Sequence, residues 1–232
     1  MTETPRWAVS LPSRGEPRAV VLVLHGGKAV SREPSRARHL SAARMVPVTR
    51  ALHRAGAPYG VEVRMVRYRY RGWNRAEASA AADAAWALAV IQAERPGLPV
   101  VVVGHSMGGR AALRVADDPV VVGVVALAPW VERDDPVAHL TGQRIRILHG
   151  SKDRWTSPRA SAAFADAAAA AGADVRYVDM GPVGHFMIRR RGRWQALTTY
   201  LAVDALLAAG LAGAQESARG RTAAAPATND RS

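Results

Sequence analysis

The sequence predicts an α/β fold: a mainly parallel central sheet of about six or seven strands, with helices on both faces. Short apolar runs recur along the chain, as is typical of parallel strands that are buried on both faces. The intervals between these runs have the lengths and end signals of helices, so strand and helix alternate throughout. Because 232 residues can bury one sizeable core but hardly two, we expect a single domain over residues 18–212. Residues 1–17 would form an N-terminal extension, and residues 213–232 a disordered tail rich in Ala, Arg, Thr and Ser.

The order of the predicted elements follows from these runs. The predicted strands are residues 18–25, 61–68, 98–103, 120–128, 145–149 and, more weakly, 175–180, with one further strand near residues 7–11. The predicted helices are residues 36–54, 75–94, 107–116, 158–171 and 193–211. Asn74 is predicted to cap the second helix and Ser157 the fourth, which Gly172 would end. In a sheet of this kind, functional sites form beyond the carboxyl ends of the strands.

The charge of the chain bears on its partners. The net charge of +13 comes from 30 arginines and two lysines that are scattered over the whole length. A nucleic-acid site needs its basic residues on one face, so we expect no specific nucleic-acid partner. Two arginine clusters, at residues 64–71 and 189–193, could attract an acidic substrate, and we interpret them as solvated surface.

Several classes of protein are excluded by composition. The absence of cysteine excludes disulfides, thiolate catalysis and zinc–thiolate sites. No apolar run approaches the roughly 20 residues of a membrane span. The first residues, MTETPRW, also lack the apolar region of a signal peptide. We therefore expect no membrane-spanning segment and a cytoplasmic location.

A serine flanked by glycines stands between a predicted strand and a predicted helix. The segment G-H-S-M-G at residues 104–108 matches G-x-S-x-G, in which a nucleophilic serine occupies a sharp strand-to-helix turn. The two glycines let strand and helix approach closely, and the N-terminus of the helix favours a developing anion. Motif and context together predict Ser106 as a nucleophile.

A serine nucleophile needs a histidine base and a carboxylate that orients the base. Among seven histidines, His185 follows the last predicted strand in the glycine-bearing loop GPVGHF, where it is free to reach Ser106. Asp153 follows the preceding strand in HGSKD, at the same edge of the sheet. Asp134 and Asp135 remain alternative acids. Stabilisation of the following turn remains an alternative role for Asp153.

The chain resembles the α/β-hydrolase superfamily. The resemblance rests on the order of Ser106, Asp153 and His185 and on the motifs L-H-G-G, G-H-S-M-G-G, H-G-S-K-D and G-H-F, and it covers nearly all of residues 18–211. Only 16 residues, 129–144, separate two strands between which many relatives carry a cap domain. In this respect the chain resembles the small, capless esterase and dienelactone-hydrolase-like members. The resemblance implies an oxyanion hole made by the backbone amides of Met107 and Gly27, with Lys28 as the alternative donor.

A capless site would be open, and we expect Tyr70, Trp73, Trp130 and Phe186 to wall it. The expected reaction is cleavage of an ester, thioester or similar acyl bond of a small-molecule substrate through an acyl-Ser106 intermediate. This chemistry needs no metal and no organic cofactor. The alternatives are an acyltransferase or peptidase that uses the same triad, and a non-catalytic, ligand-binding relative.

Overall fold

The computed structural model describes residues 3–211 and contains one seven-stranded sheet. The strands are β1 (Arg6–Leu11), β2 (Ala19–Leu24), β3 (Val61–Arg67), β4 (Val100–His105), β5 (Val121–Leu127), β6 (Arg144–His149) and β7 (Asp174–Asp179). Their order across the sheet is β1-β3-β2-β4-β5-β6-β7, and only β1 is antiparallel to its neighbour. The predicted mainly parallel sheet is confirmed. The predicted disordered tail, residues 213–232, lies outside the described residues.

Six helices cover the two faces of this sheet. They are α1 (Leu40–Ala43), α2 (Val46–Gly56), α3 (Ser79–Glu94), α4 (Met107–Arg114), α5 (Pro158–Ala170) and α6 (Arg191–Ala208) among the residues that the structure describes. Helices α2 and α6 pack on one face, and α3, α4 and α5 on the other. The single helix predicted over residues 36–54 is instead α1 followed by α2. Pro47, in the first turn of α2, has no amide to donate, and its ring would clash with the carbonyl of Ala43 in a continuous helix.

The apolar runs are explained by burial on both faces. Every residue of β2 and of β4 is buried. In β4, Val100 and Val102 join the core beneath α3 and α4, whereas Val101 and Val103 join the core beneath α2 and α6. Because successive side chains of a strand point to opposite faces, a strand covered on both sides reads as a continuous apolar run.

The two helix-end signals around α5 are confirmed. The Ser157 hydroxyl accepts the Ala160 amide at 3.1 Å, which satisfies one of the free amides at the helix start. Gly172 has a left-handed backbone with φ +91°, and its amide donates to the Ala169 carbonyl at 3.0 Å. The chain leaves the helix there because glycine adopts this conformation without a steric penalty.

The predicted cap of α3 is wrong. Asn74 has a left-handed backbone with φ 65° and makes no side-chain cap. Its side-chain oxygen accepts the Ser31 amide at 2.9 Å, and its side-chain nitrogen donates to the Ser79 hydroxyl at 3.0 Å. Asparagine tolerates the left-handed region, so this residue ties the loop after β2 to the start of α3 instead of capping a helix at residue 75.

The topology places the ends of β2 and β4 side by side. The chain runs from β2 outward to β3, then crosses β2 to reach β4, so the connections diverge between β2 and β4. Crevices at such switch points are the usual sites of open α/β sheets. Between β5 and β6, residues 128–143 form no domain but only a short loop with one 3₁₀ turn, Ala138–Leu140. None of the helices between residues 3 and 211 is long and apolar enough to cross a membrane.

Candidate active site

Ser106 occupies the sharp turn between β4 and α4. Its backbone has φ 56° and ψ −120°, a conformation that a non-glycine residue adopts only when its surroundings impose it. The turn is held because the Ser106 amide donates to the Leu127 carbonyl at 3.0 Å. A Cβ at Gly104 would overlap the backbone of Gly108, and one at Gly108 would overlap the Leu24 carbonyl. Both glycines are therefore required by the close approach of α4 to the strands.

The three predicted catalytic side chains lie in contact. The Ser106 hydroxyl donates to His185 Nε2 at 3.0 Å, and His185 Nδ1 donates to Asp153 Oδ2 at 2.7 Å. Asp153 and His185 are 9% and 6% exposed, so water competes little for these bonds. The alternative acids lie elsewhere, since Asp135 accepts from Arg110 and Asp134 lines a neighbouring cavity. The arrangement gives a serine hydroxyl a base within reach.

Asp153 is held as a carboxylate by several donors. Its Oδ1 accepts the amides of Trp155 and Thr156 at 2.8 and 3.0 Å, so Asp153 also stabilises the turn that follows it. Its Oδ2 accepts from His185, from His149 Nε2 at 3.1 Å and from the Thr156 hydroxyl at 2.9 Å. Burial alone would raise the pKa of Asp153, but the bonds from the two histidines and the amides outweigh it and hold this pKa well below its usual range. Asp153 is therefore ionised and can orient His185.

His149 is a residue of the site that sequence reasoning missed. It is fully buried at the end of β6, donates to Asp153 and accepts the Ser161 hydroxyl through Nδ1 at 2.9 Å. The available signal was its position four residues before Asp153. Because the ring is bound at both nitrogens, it holds in place the Asp153 oxygen that also accepts from His185.

The hydrogen bonds distinguish the three amides considered for the oxyanion hole. The amides of Gly27 and Met107 donate to no acceptor in the described part of the chain, whereas the Lys28 amide donates to the Arg71 carbonyl at 2.8 Å. Lys28 is thus removed as an alternative donor. His25 Nδ1 donates to the Gly26 carbonyl at 2.7 Å. Since carbonyl and amide point in opposite directions across a trans peptide, this bond fixes the direction of the Gly27 amide.

The sequence of this chain also places it among known proteins. A profile of the alpha/beta hydrolase family matches residues 20–228. The chain belongs to the alpha/beta hydrolase family. No curated protein matches the sequence of this hydrolase.

Solved structures resemble this alpha/beta hydrolase in fold. An alpha-beta serine hydrolase homologue from Coxiella burnetii is 16% identical with a TM-score of 0.63, over 86% of this chain and 97% of that one. A serine hydrolase without a lid from Xanthomonas campestris is 17% identical with a TM-score of 0.59, over 83% and 85%. A thermophilic esterase from Thermogutta terrifontis, bound to propionate, is 18% identical with a TM-score of 0.63, over 87% and 89%. At these identities the likeness shows the fold alone, and it agrees with the absence of a cap between β5 and β6.

A cleft of about 910 Å³ lies over Ser106 in this alpha/beta hydrolase. Of the residues expected to wall it, Trp130 and Phe186 line the cleft, as does Met107. Tyr70 and Trp73 do not. The backbone after β3 pairs with the loop after β2, which turns Tyr70 toward Arg32 and Arg69 on the outer surface. Trp73 is buried and packs edge-on against Trp130. It lines the neighbouring cavity behind Trp130, which also contains Asp134.

The remaining wall comes from a segment that the sequence did not single out. This segment surrounds α1 and contributes Arg38, His39, Leu40 and Arg44 to the lining of the cleft. A second, mostly apolar cavity of about 260 Å³ shares Leu40, Arg44 and Phe186 with the cleft. The alpha/beta hydrolase therefore has an open site with a polar and an apolar side.

Proposed function

We propose that the protein is a serine hydrolase that cleaves an ester, thioester or similar acyl bond through an acyl-Ser106 intermediate. The observation that carries this proposal is the unbroken chain of hydrogen bonds from Ser106 through His185 to the ionised Asp153. Membership of the alpha/beta hydrolase family supports it. The chemistry uses only side chains and backbone amides of this chain.

In the first half-reaction, Ser106 Oγ attacks the carbonyl carbon while its proton passes to His185 Nε2. Asp153 stabilises the imidazolium that forms. The tetrahedral intermediate collapses, the bond to the leaving group breaks, and His185 returns the proton to the departing oxygen or sulfur. In the second half-reaction, His185 takes a proton from water while the water oxygen attacks the acyl carbon. The bond between this carbon and Ser106 Oγ then breaks, His185 returns the proton to Ser106 Oγ, and the acid is released.

The negative charge of the tetrahedral intermediate needs donors beside Ser106. The amides of Gly27 and Met107 supply them, and α4 begins at Met107, so the positive end of this helix adds to the field. One such donor is worth about 3 to 4 kcal/mol of transition-state stabilisation. A side chain at Gly27 would overlap the Arg71 carbonyl and the Met107 side chain, so this position requires glycine.

Carboxylic esters are the substrate class that the surroundings favour. The cleft is open, and the apolar cavity beside it suits the hydrocarbon part of an acyl group or of an alcohol. Among the proteins of similar fold, those from Thermogutta terrifontis and Paleococcus ferrophilus are named as an esterase and a monoacylglycerol lipase. Both names describe enzymes that act on esters.

The proposal is tested with a short activated ester such as 4-nitrophenyl butyrate. Ser106→Ala is expected to lower kcat by roughly 10⁴-fold or more, since removal of a triad nucleophile leaves only the contributions of binding and the oxyanion hole. Ser13→Ala, in an exposed turn before β2, is the matched control and keeps the wild-type rate. Full activity of Ser106→Ala would contradict the proposal.

A further inference from the structure

The charged side chains that line the cleft over Ser106 have one sign. They are Lys28, Arg38, Arg44 and Arg71, which together we call the basic wall. Among residues 3–211, no aspartate or glutamate lines the cleft. Asp153 does not line the cleft, and its carboxylate accepts a hydrogen bond from His185. Any substrate of Ser106 therefore meets a positive potential.

Not every cavity of the protein has this excess of cations. The neighbouring cavity behind Trp130 has three arginines and three carboxylates in its lining: Arg75, Arg110, Arg114, Glu132, Asp134 and Asp135. Of the arginine cluster at residues 64–71, which we interpreted as solvated surface, Arg64 and Arg69 are paired with carboxylates, and only Arg71 reaches the cleft. The lining of the cavity behind Trp130 is thus balanced in charge, whereas the lining of the cleft over Ser106 is not.

Arg44 is the most informative member of the basic wall. It is half-buried, and no carboxylate of the described residues lies within 4.0 Å of it. Burial lowers the pKa of its guanidinium. The guanidinium stands 4.4 Å from the ring centroid of Phe186, the residue next to His185. A partly desolvated cation without a counter-charge is costly, and the ring offsets only part of that cost.

The other members leave the wall positive as well. Arg71 is paired with Glu33, an exposed residue outside the cleft whose pKa is lowered by the Arg71 bond and by Lys28. This one carboxylate offsets one cation of four. His39 lines the same cleft. Its pKa is lowered by burial and, to a smaller extent, by the charges of Arg71 and Arg38, so His39 does not add a stable positive charge. The net excess comes from permanent cations.

Resting on the proposed function, we infer that the ester cleaved at Ser106 carries an anionic group, a carboxylate or an equivalent oxyanion, that binds the basic wall. The planar guanidinium of Arg44 matches the two oxygens of such a group. Charge of one sign in a cleft also raises the local concentration of the opposite charge. The anion can belong to the acyl part or to the alcohol part of the ester, and the two cases require separate substrates.

The experiment compares matched charged and neutral esters. For the acyl part, mono-4-nitrophenyl adipate is compared with its methyl ester. For the alcohol part, 4-butanoyloxybenzoate is compared with its methyl ester. Each kcat/KM is divided by the rate of the same ester with hydroxide, which removes differences in intrinsic reactivity. We expect the wild type to prefer the charged ester in one arm by about tenfold or more, the effect of one charge-assisted hydrogen bond, and to lose this preference in 0.5 M NaCl.

Variants connect the preference to the wall. Arg44→Gln and the exposed Arg38→Gln are each expected to reduce it several-fold. Arg54→Gln, an exposed arginine of α2 that lines neither cavity, is the matched control and keeps it. If Arg44→Gln does not fold, Arg38→Gln alone decides.

The possible failures are distinct. Equal, Ser106-dependent hydrolysis of charged and neutral esters in both arms would overturn this inference and leave the proposed function intact. A preference that survives in every variant of the wall would overturn it too. Hydrolysis of neither kind of ester, or hydrolysis that Ser106→Ala retains, would overturn the proposed function itself.

Discussion

Asp153 lies between two histidine rings, and the second of them extends the polar chain of the site. The chain runs from the Ser161 hydroxyl through His149 and Asp153 to His185 and Ser106. Every link is at most 3.1 Å long and largely buried. We therefore expect His149 to act through Asp153, as a positioning residue for the carboxylate that is bound to His185.

Replacement of His149 tests this role. We expect His149→Ala to lose about 1.5 to 3 kcal/mol of stability, the worth of a hydrogen bond to a charged group, and to lower kcat for a neutral ester about tenfold. Ser161→Ala, which removes only the outer link, is the matched control and should change kcat less than His149→Ala. Urea unfolding and steady-state kinetics measure both effects. An unchanged kcat in a stable His149→Ala protein would contradict the role.

Residues of the site differ in how far the sequence could predict them. Ser106, Asp153 and His185 were predictable because each follows a buried strand, and parallel strands end at one edge. The choice of Gly27 over Lys28 was not, because it depends on a hydrogen bond between the Lys28 amide and a carbonyl from another loop. Arg44 has no local signal in the sequence, because its charge environment depends on its neighbours in space, among which the described residues provide no carboxylate within 4.0 Å.

At the scale of elements, the loop between β5 and β6 is fixed by one arginine of α4. The Arg110 guanidinium lies 4.6 Å from the ring centroids of both Trp73 and Trp130 and donates to Asp135 at 2.8 Å. The side chains of Arg110 and Asp135 are 8% and 7% exposed. The loop that stands where relatives carry a cap is therefore anchored to the helix that begins after Ser106, and Trp130 is held at the edge of the cleft.

Breaking this anchor should destabilise the fold. Arg110→Met leaves the Asp135 carboxylate buried without its partner, for which we expect a loss of about 3 to 5 kcal/mol. The double variant Arg110→Met with Asp135→Asn removes the buried charge and should recover part of the loss. The free energy of unfolding in urea measures both. A loss below about 0.5 kcal/mol, which is typical of surface positions, would show that the anchor is unimportant.

Element boundaries were harder to predict than element types. The prediction of one continuous helix over residues 36–54 was wrong at Pro47. The apolar period continues through this residue, but a proline there cannot continue the preceding helix. The cap at Asn74 failed because the same side chain binds Ser31, 43 positions away. The local sequence does not show whether a side chain will cap the nearest helix or bind a residue that is distant in the sequence. The Ser157 cap, which has no such competitor, was predicted correctly.

At the scale of the whole molecule, two buried histidines tie stability to pH. His25 and His105 are 2% and 1% exposed. Burial, outweighing their backbone hydrogen bonds, lowers the pKa of His25 to about 4, and burial together with the charge of His185 lowers that of His105 to about 3. Both rings are neutral in the folded state at neutral pH.

The sign of the pH effect follows from these shifts. An unfolded histidine has a pKa of about 6.5, so between pH 6.5 and 4 the unfolded chain binds more protons than the folded one. The stabilisation is fully present above pH 6.5 and is lost as the pH falls. We expect the free energy of unfolding to fall by about 1.4 kcal/mol per pH unit for each histidine in this window.

Urea unfolding from pH 7 to pH 4.5 measures this slope. His105→Gln should reduce this slope by about 1.4 kcal/mol per pH unit, because one histidine fewer takes up a proton on unfolding. His53→Gln, at a partly exposed position of α2, is the matched control and should leave the slope unchanged. The lowered pKa of Asp153 gives stability that is fully present above the ordinary pKa of 3.8 and is lost progressively as the pH falls further, so it adds to the acid loss below this window. A stability that does not change between pH 6.5 and 4.5 would contradict the assignment.

The sheet itself was the most predictable feature of the molecule. A strand covered on both faces has no polar alternation, and such runs, separated by helices, fit only a sheet between two helical layers. What the sequence could not predict is which loops meet over the sheet edge, because their contacts depend on backbone pairing such as that between Lys28 and Gly72. The grouping of Ser106, Asp153 and His185 was therefore predictable from the sequence, whereas the shape and charge of the cleft were not.

Covalent labelling by a fluorophosphonate tests the nucleophile most directly. The reagent reacts with a serine only where a base activates it and an oxyanion site receives the phosphoryl oxygen. Mass spectrometry of the treated protein and of its peptides is predicted to find one adduct, on Ser106, and none in Ser106→Ala. An adduct on another residue, or an unlabelled wild-type protein, would contradict the assignment of Ser106 as the activated nucleophile.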